Sequence, residues 1–138
     1  HRFDIDVLAQ RMASATDWLE TQPGLEGLPI GYFGASTGAG AALVAAAQRA
    51  EAVGAVVSRG GRPDLARDAL PQVVAPTLLL VGGRDGPVIE LNQLALARLR
   101  CEKEMVIVPG ASHLFEEPGT LDVVAAHARD WFLRHLRG

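Results

Sequence analysis

The run Pro76-Thr-Leu-Leu-Leu-Val-Gly82 limits the possible folds more than any other stretch, because it is apolar along nearly its whole length. Successive side chains of a strand point to opposite faces, so a strand of this composition is buried on both. Cover on both faces comes from helices, and the usual arrangement is a parallel sheet wrapped by them. The rest of the chain supplies those parts in alternation. Phe3 to Thr21 is a helix candidate in which Leu8, Met12, Ala15 and Leu19 recur at three-to-four spacing, and Pro23-Gly24 stops it. Leu28 to Ala35 is a short apolar strand, followed by an alanine-rich helix from Ser36 to Ala50. Alanine favours helix, and its small side chain lets the helix lie close against a sheet.

Val53 to Ser58 is the second strand, closed by Arg59-Gly-Gly-Arg-Pro63, with a short helix expected over Asp64 to Leu70. Beyond the third strand, Pro76 to Gly82, come a helix from Val88 to Arg100 and a fourth strand from Met105 to Val108. The last helix runs from Thr120 to Leu136, with Val124, Ala128, Trp131 and Phe132 on one stripe. The order αβαβ(α)βαβα shows neither linker nor internal repeat. It predicts one α/β unit, a parallel sheet with helices on both faces.

Composition narrows the function classes. At 138 residues the chain has the length of one ordinary domain, and 49% hydrophobic with 21% charged residues suits a globular protein. A net charge of −3, with Lys103 the sole lysine and no Lys/Arg block, gives no electrostatic case for nucleic acid. The single Cys101 excludes an internal disulfide and agrees with a reducing compartment, so a cytoplasmic location is expected. No cluster has the ligand spacing of a zinc site, no apolar run is long enough to cross a membrane, and no signal peptide is visible. The start, His1-Arg2-Phe3, reads as a cut edge.

Ligands of such sheets bind beyond the carboxyl ends of the strands. Three polar residues fall there: Ser36 after the first strand, Asp85 in Gly82-Gly-Arg-Asp-Gly-Pro87 after the third, and His113 in Pro109-Gly-Ala-Ser-His113 after the fourth. Ser36 lies on a turn from strand straight into helix, with Gly34 and Gly38 two residues to either side. A turn that tight strains the backbone, and a Cβ at either flank is expected to clash with the strand or helix nearby. The helix N-terminus offers free N–H groups to an oxyanion, Thr37 N–H first among them. A serine hydroxyl is a weak nucleophile until a base takes its proton, and an imidazole base needs an acid to fix its tautomer. The order Ser36, Asp85, His113 supplies all three parts.

Each residue also has a plainer reading. Ser36 could cap its helix, Asp85 could be an ordinary Asp-Gly turn residue, and Asp64 is a rival acid whose better reading is helix capping after Pro63. His127 and His135 lie on the last helix, where a solvated or packed role is expected, and Tyr32 and Trp18 are expected in the core. Arg59 and Arg62 could hold an anionic substrate group, although a solvated loop is the simpler reading.

These stretches, with Gly31-Tyr-Phe-Gly-Ala-Ser-Thr-Gly-Ala-Gly40 and Leu79-Leu-Val-Gly-Gly-Arg-Asp85 foremost, make the chain resemble an α/β-hydrolase, most closely the dienelactone hydrolase group. The resemblance implies Ser36 as nucleophile, Asp85 as acid and His113 as base, acting on esters or lactones with no cofactor. It departs at the nucleophile, which is cysteine in dienelactone hydrolases proper, and so favours a generic carboxylic ester or acyl group as the small-molecule substrate. Val57-Ser-Arg-Gly-Gly-Arg-Pro-Asp64 is also similar to family members found alongside phosphoribosyltransferases. A complete hydrolase of this kind has further strands before the elbow strand, and a loop among them gives the second oxyanion donor. Residues 1–138 are therefore expected to form the C-terminal portion of one hydrolase domain. The elbow-strand edge and the second donor would be supplied by an upstream part, a swapped copy or another chain.

Two other classes compete. Gly34-Ala-Ser-Thr-Gly-Ala-Gly40 is close to the glycine turn of NADP-binding short-chain dehydrogenases, with Arg59 placed to read a 2′-phosphate. Their Tyr-x-x-x-Lys pair is missing, since Tyr32 precedes the turn and Lys103 has no tyrosine partner. A non-catalytic hydrolase-fold binding module is the second alternative.

Overall fold

The computed structural model describes residues 2–136. Helix α1 (Arg2–Glu20) leads to β1 (Ile30–Ala35), α2 (Thr37–Gln48), β2 (Val53–Arg59), a 3₁₀ segment (Pro63–Gln72) and β3 (Thr77–Gly82). Helix α3 (Gly86–Arg98), β4 (Lys103–Val108) and α4 (Thr120–His135) complete it. The strands form one parallel sheet in the order β1-β2-β3-β4, so the expected α/β fold is observed. All six residues of β3 are buried, as its two-sided apolar pattern requires.

Side-chain alternation divides the core between the two faces of the sheet. Tyr32, Val53 and Val56 pack with residues of α1, α2, the 3₁₀ segment and α3, whereas Ala55, Val57, Leu78, Leu80 and Val108 pack with Val124, Ala128 and Trp131 of α4. Each fully buried Val or Leu contributes roughly 1.5–3 kcal/mol of transfer free energy. The only lysine serves the frame: Lys103 Nζ donates to the carbonyls of Leu96 and Leu99, both at 2.7 Å, and so caps the end of α3.

Helix α1 departs from the expected stripe. Its deepest residues are Ile5, Ala9, Ala13 and Thr16, while Leu8, Met12 and Leu19 are half-buried and Ala15 is exposed. Helix α2, packed in the same core cluster, is buried through alanines, with Ala41, Ala42, Ala45 and Ala46 all at 0% exposure, and small residues on both helices let them close up. The larger side chains then flank the seam instead of filling it. Trp18 is another correction, being 60% exposed, whereas Tyr32 is buried and bonded through its hydroxyl to Thr16 Oγ1. The short helix after Pro63 is 3₁₀, broken at Arg67 (φ 50°, ψ −118°) and holding Pro71, which cannot donate an N–H.

The two sheet edges differ. Strand β4 shows exposed Lys103 and Glu104, charges of the kind that discourage further pairing, while β1 carries no charge and leaves Phe33 48% exposed. The α1–α2 seam gives a direct test of the corrected stripe. Ala13→Leu should lower unfolding free energy by about 1–3 kcal/mol through overpacking, and Ala15→Leu should stay within about 0.5 kcal/mol, both read from urea denaturation midpoints.

Candidate active site

Strand registers set Ala35 opposite Arg59 and Arg59 opposite Leu80, so β1 and β2 end level while β3 runs two residues further, to Gly82. Ser36 follows Ala35 at once and has φ 50° and ψ −127°, a conformation that costs a non-glycine residue on the order of 1–3 kcal/mol. Its carbonyl accepts from Ala39 N–H (3.1 Å) and from Arg62 N–H (2.9 Å), which pins the turn from both sides. Its hydroxyl makes no helix-capping bond. Gly34 lets the helix start this abruptly, because a Cβ there would lie 2.6 Å from Gly38 O and 2.8 Å from Ala39 N. At Gly38 a Cβ would meet nothing within 4 Å, so the expected clash exists on one side of the turn only.

The Ser36 hydroxyl points instead to His113, with Oγ 3.2 Å from Nε2. His113 Nδ1 lies 2.8 Å from Asp85 Oδ2. A carboxylate only accepts, so Nδ1–H donates to Asp85 and Nε2 is left to accept the hydroxyl proton. Asp85 sits at the N-cap position of α3 but makes no side-chain capping bond. Its side chain is 13% exposed and that of His113 39%, so the acid is enclosed while the imidazole is open to small molecules. The three residues expected at strand ends are thus brought into one bonded line.

The other candidates are placed elsewhere. Arg62 is held by Asp64 in a two-pronged pair at 3.0 and 2.9 Å, which occupies both the possible anion ligand and the rival acid. Asp64 is therefore an ion-pair partner and not the helix cap expected of it. Arg59 lies over the Phe115 ring, 5.8 Å from its centroid. His135 packs against Trp131 at 4.4 Å and faces Glu102 Oε2 at 3.3 Å. His127 is half-buried on α4, and His1 lies outside the described residues. Thr37 begins α2 beside the Ser36 hydroxyl, where its N–H lies in the first turn of the helix.

Several supporting residues carried no signal in the sequence. Gly60 (φ 52°) immediately follows β2, and a Cβ there would come 3.0 Å from His113 O and 3.2 Å from the Phe115 ring. The chain around His113 therefore crosses directly over the end of β2. Asn92, wholly buried on α3, donates to Gly61 O (3.1 Å) and Val88 O (2.8 Å), fixing the loop whose next residue bonds Ser36. Glu117 Oε1 accepts the Ser112 N–H at 2.9 Å, and that bond is the main cause holding its carboxyl below the usual glutamate value. Pairs of this sort link residues close in space whose spacing follows no helix or strand period.

A concavity of about 410 Å³ lined by Asp4, Val7, Leu8, Arg11 and Thr37 adjoins the turn. A larger one, about 840 Å³, lies at the opposite end of the strands, against Pro29, Ala52, Gly54 and His135, away from this chemistry. Among the described residues no group of three or more His, Cys, Asp or Glu is placed to hold a metal, and no helix is long and apolar enough to cross a membrane.

A family model for the dienelactone hydrolase family matches residues 3–136. The chain belongs to that family. A dienelactone hydrolase crystal structure from Anabaena variabilis is 63% identical with a TM-score of 0.95, covering 98% of this chain and 62% of that one. The esterase domain of a Rhodothermus marinus protein, at 20% identity and TM-score 0.78, shares the fold over 94% of this chain and 69% of its own. A Mycobacterium tuberculosis H37Rv protein, named provisionally as a phosphoribosyl transferase, is 64% identical over 136 residues. That segment is 99% of this chain and 31% of the relative, so the chain spans about a third of that protein's length. Family membership also answers the dinucleotide reading of the glycine turn.

The turn in this family member makes a paired prediction. Gly34→Ala should destabilise the protein by about 1–3 kcal/mol, as overpacking against backbone does. Gly38→Ala should be neutral or stabilising by up to about 1 kcal/mol, since alanine is the better helix former. Thermal and urea denaturation of both variants would check it.

Proposed function

We propose that the protein is a serine hydrolase that cleaves a carboxylic ester or lactone through an acyl-enzyme. The observation that carries this reading is the bonded line Ser36 Oγ, His113 Nε2 and Nδ1, Asp85 Oδ2, at 3.2 and 2.8 Å, on a strained strand-to-helix turn. Ser36 Oγ attacks the ester carbonyl as His113 Nε2 takes its proton. The C=O pair moves onto oxygen, and Thr37 N–H with the start of α2 steadies that oxyanion. Collapse expels the alcohol, which takes the proton back from His113, and leaves Ser36 acylated. Water then attacks, with His113 as base again, to release the acid and restore Ser36. Asp85 holds the imidazole in its tautomer and steadies the imidazolium.

The groove beside Thr37 would take part of the substrate, and no cofactor enters these steps. With serine as the attacking atom, we favour simple carboxylic esters over dienelactone. The second oxyanion donor would come from outside residues 1–138, from an upstream part, a swapped copy or another chain that also pairs with β1. Without it the rate should be lower by about 10²–10³-fold. Any phosphoribosyl transfer, the activity named for the mycobacterial relative, we place outside residues 1–138, because the hydrolase family match takes up residues 3–136. The lone thiol Cys101 suits the reducing cytoplasm as the setting.

Short p-nitrophenyl esters and a fluorophosphonate probe, applied to the whole protein, test this. Hydrolysis and labelling are expected, Ser36→Ala should abolish both, and Asp85→Asn should lower kcat by about 10⁴-fold. A folded protein that neither hydrolyses nor labels would instead be a binding module of hydrolase fold.

A further inference from the structure

The loops carrying Asp85 and His113 leave different strands, yet the imidazole tolerates little error in their relative placement. Two backbone bonds join them: Gly83 N–H donates to Val108 O at 2.8 Å, and Arg84 N–H donates to Ala111 O at 2.9 Å. Neither reaches residue 112, where the chain turns to present His113. At that point the partner of the Ser112 N–H is a side chain, Glu117 Oε1, at 2.9 Å. The other oxygen of Glu117 lies 3.8 Å from Arg84 Nη1, one residue before Asp85.

Glu117 is itself anchored. Its carbonyl accepts from Thr120 N–H (3.1 Å), and the one hydroxyl proton of Thr120 is shared between that carbonyl and Phe115 O, 2.8 and 2.9 Å from Oγ1. Thr120 is buried at the start of α4, and Phe115, at 1% exposure and φ 56°, is fixed beneath the same turn. The carboxylate thus has a rigid base, and it contacts the residue preceding His113 and the residue preceding Asp85.

We infer that Glu117 is a positioning residue, which sets His113 between Asp85 and Ser36 by holding the Ser112 N–H. The inference rests on the proposed hydrolase reading. The Ser112 bond carries the effect, because the Arg84 contact is long and Arg84 is 67% exposed, where ion pairs contribute little. The lowered pKa of the Glu117 carboxyl has the same main cause, the Ser112 N–H. No substrate contact is involved, so the effect belongs in kcat and not in KM.

The test uses p-nitrophenyl acetate kinetics, fluorophosphonate labelling rates and urea midpoints on the whole protein. Glu117→Met keeps the length of the side chain without its acceptor, and Glu117→Gln keeps an acceptor without its charge. Glu117→Met should lower kcat and the labelling rate by about 10–100-fold with KM within about 2-fold, as loss of a partner that orients a reacting group does. Glu117→Gln should recover most of that loss, and Glu116→Ala at the exposed neighbouring position should match the parent protein. Parent-like kcat in Glu117→Met, or Glu117→Gln as impaired as Glu117→Met, would overturn the positioning role. Should Glu117→Met fail to fold, Glu117→Gln decides: near-parental rates support acceptance from Ser112, and a full loss overturns it. If the parent protein shows no hydrolysis dependent on Ser36, the hydrolase reading fails first, and the role of Glu117 falls with it.

Discussion

In the strand order β1-β2-β3-β4, the serine leaves β1 and the aspartate leaves β3, so a whole strand separates them. Neighbouring strands lie about 4.8 Å apart, which puts the two chain ends on the order of 10 Å from each other. No direct bond between a hydroxyl and a carboxylate spans that gap. An imidazole does, with one nitrogen for each neighbour, provided the chain bearing it passes low over the end of β2. Gly60 permits that passage, since any side chain there would press on His113 O and on the Phe115 ring. At the same edge Arg59 lies against the Phe115 ring, and the loop after β2 is tied down by the Arg62–Asp64 pair and by the bond from Asn92 to Gly61 O.

The order of elements and the three residues of the bonded line were legible in the sequence, and for a physical reason. Strand and helix periods show in the apolar pattern, and a parallel sheet puts ligand-facing residues immediately after each strand. Position after a strand, together with the glycines around Ser36 and the need of a hydroxyl for a base and an acid, singles out Ser36, Asp85 and His113. What could not be found is whatever depends on contact between elements. Periodicity alone puts the α1 stripe on Leu8, Met12, Ala15 and Leu19, whereas the approach of two helices favours small residues such as Ala9 and Ala13, which share a core cluster with the alanines of α2. Trp18, a core candidate by sequence, lies outside. Gly38 looked equivalent to Gly34, yet only Gly34 faces backbone at close range. Glu117 and Asn92 act through single hydrogen bonds to backbone atoms, and such bonds leave no mark on composition or spacing.

The sheet also distributes its rigidity unevenly. Strand β3 is buried along its length, and the acid loop leaves from its end. Strand β4, half exposed, passes its chain into the base loop, which the side chains of Glu117 and Thr120 then secure. Strand β1 has a neighbour on one side only among the described residues, and the most strained residue of the site follows it. The turn at Ser36 is steadied from within, by N–H groups of Ala39 and Arg62 on its carbonyl.

That strain has a consequence for how position 36 would behave among variants. With φ at 50° and ψ at −127°, the backbone there is one that glycine adopts freely and serine does not. A chain shaped by folding alone would drift toward glycine at this point and grow more stable by losing its hydroxyl. Serine at 36 is thus a residue that stability opposes, and its persistence in a set of natural variants would measure the demand for the hydroxyl separately from the demand for a folded protein.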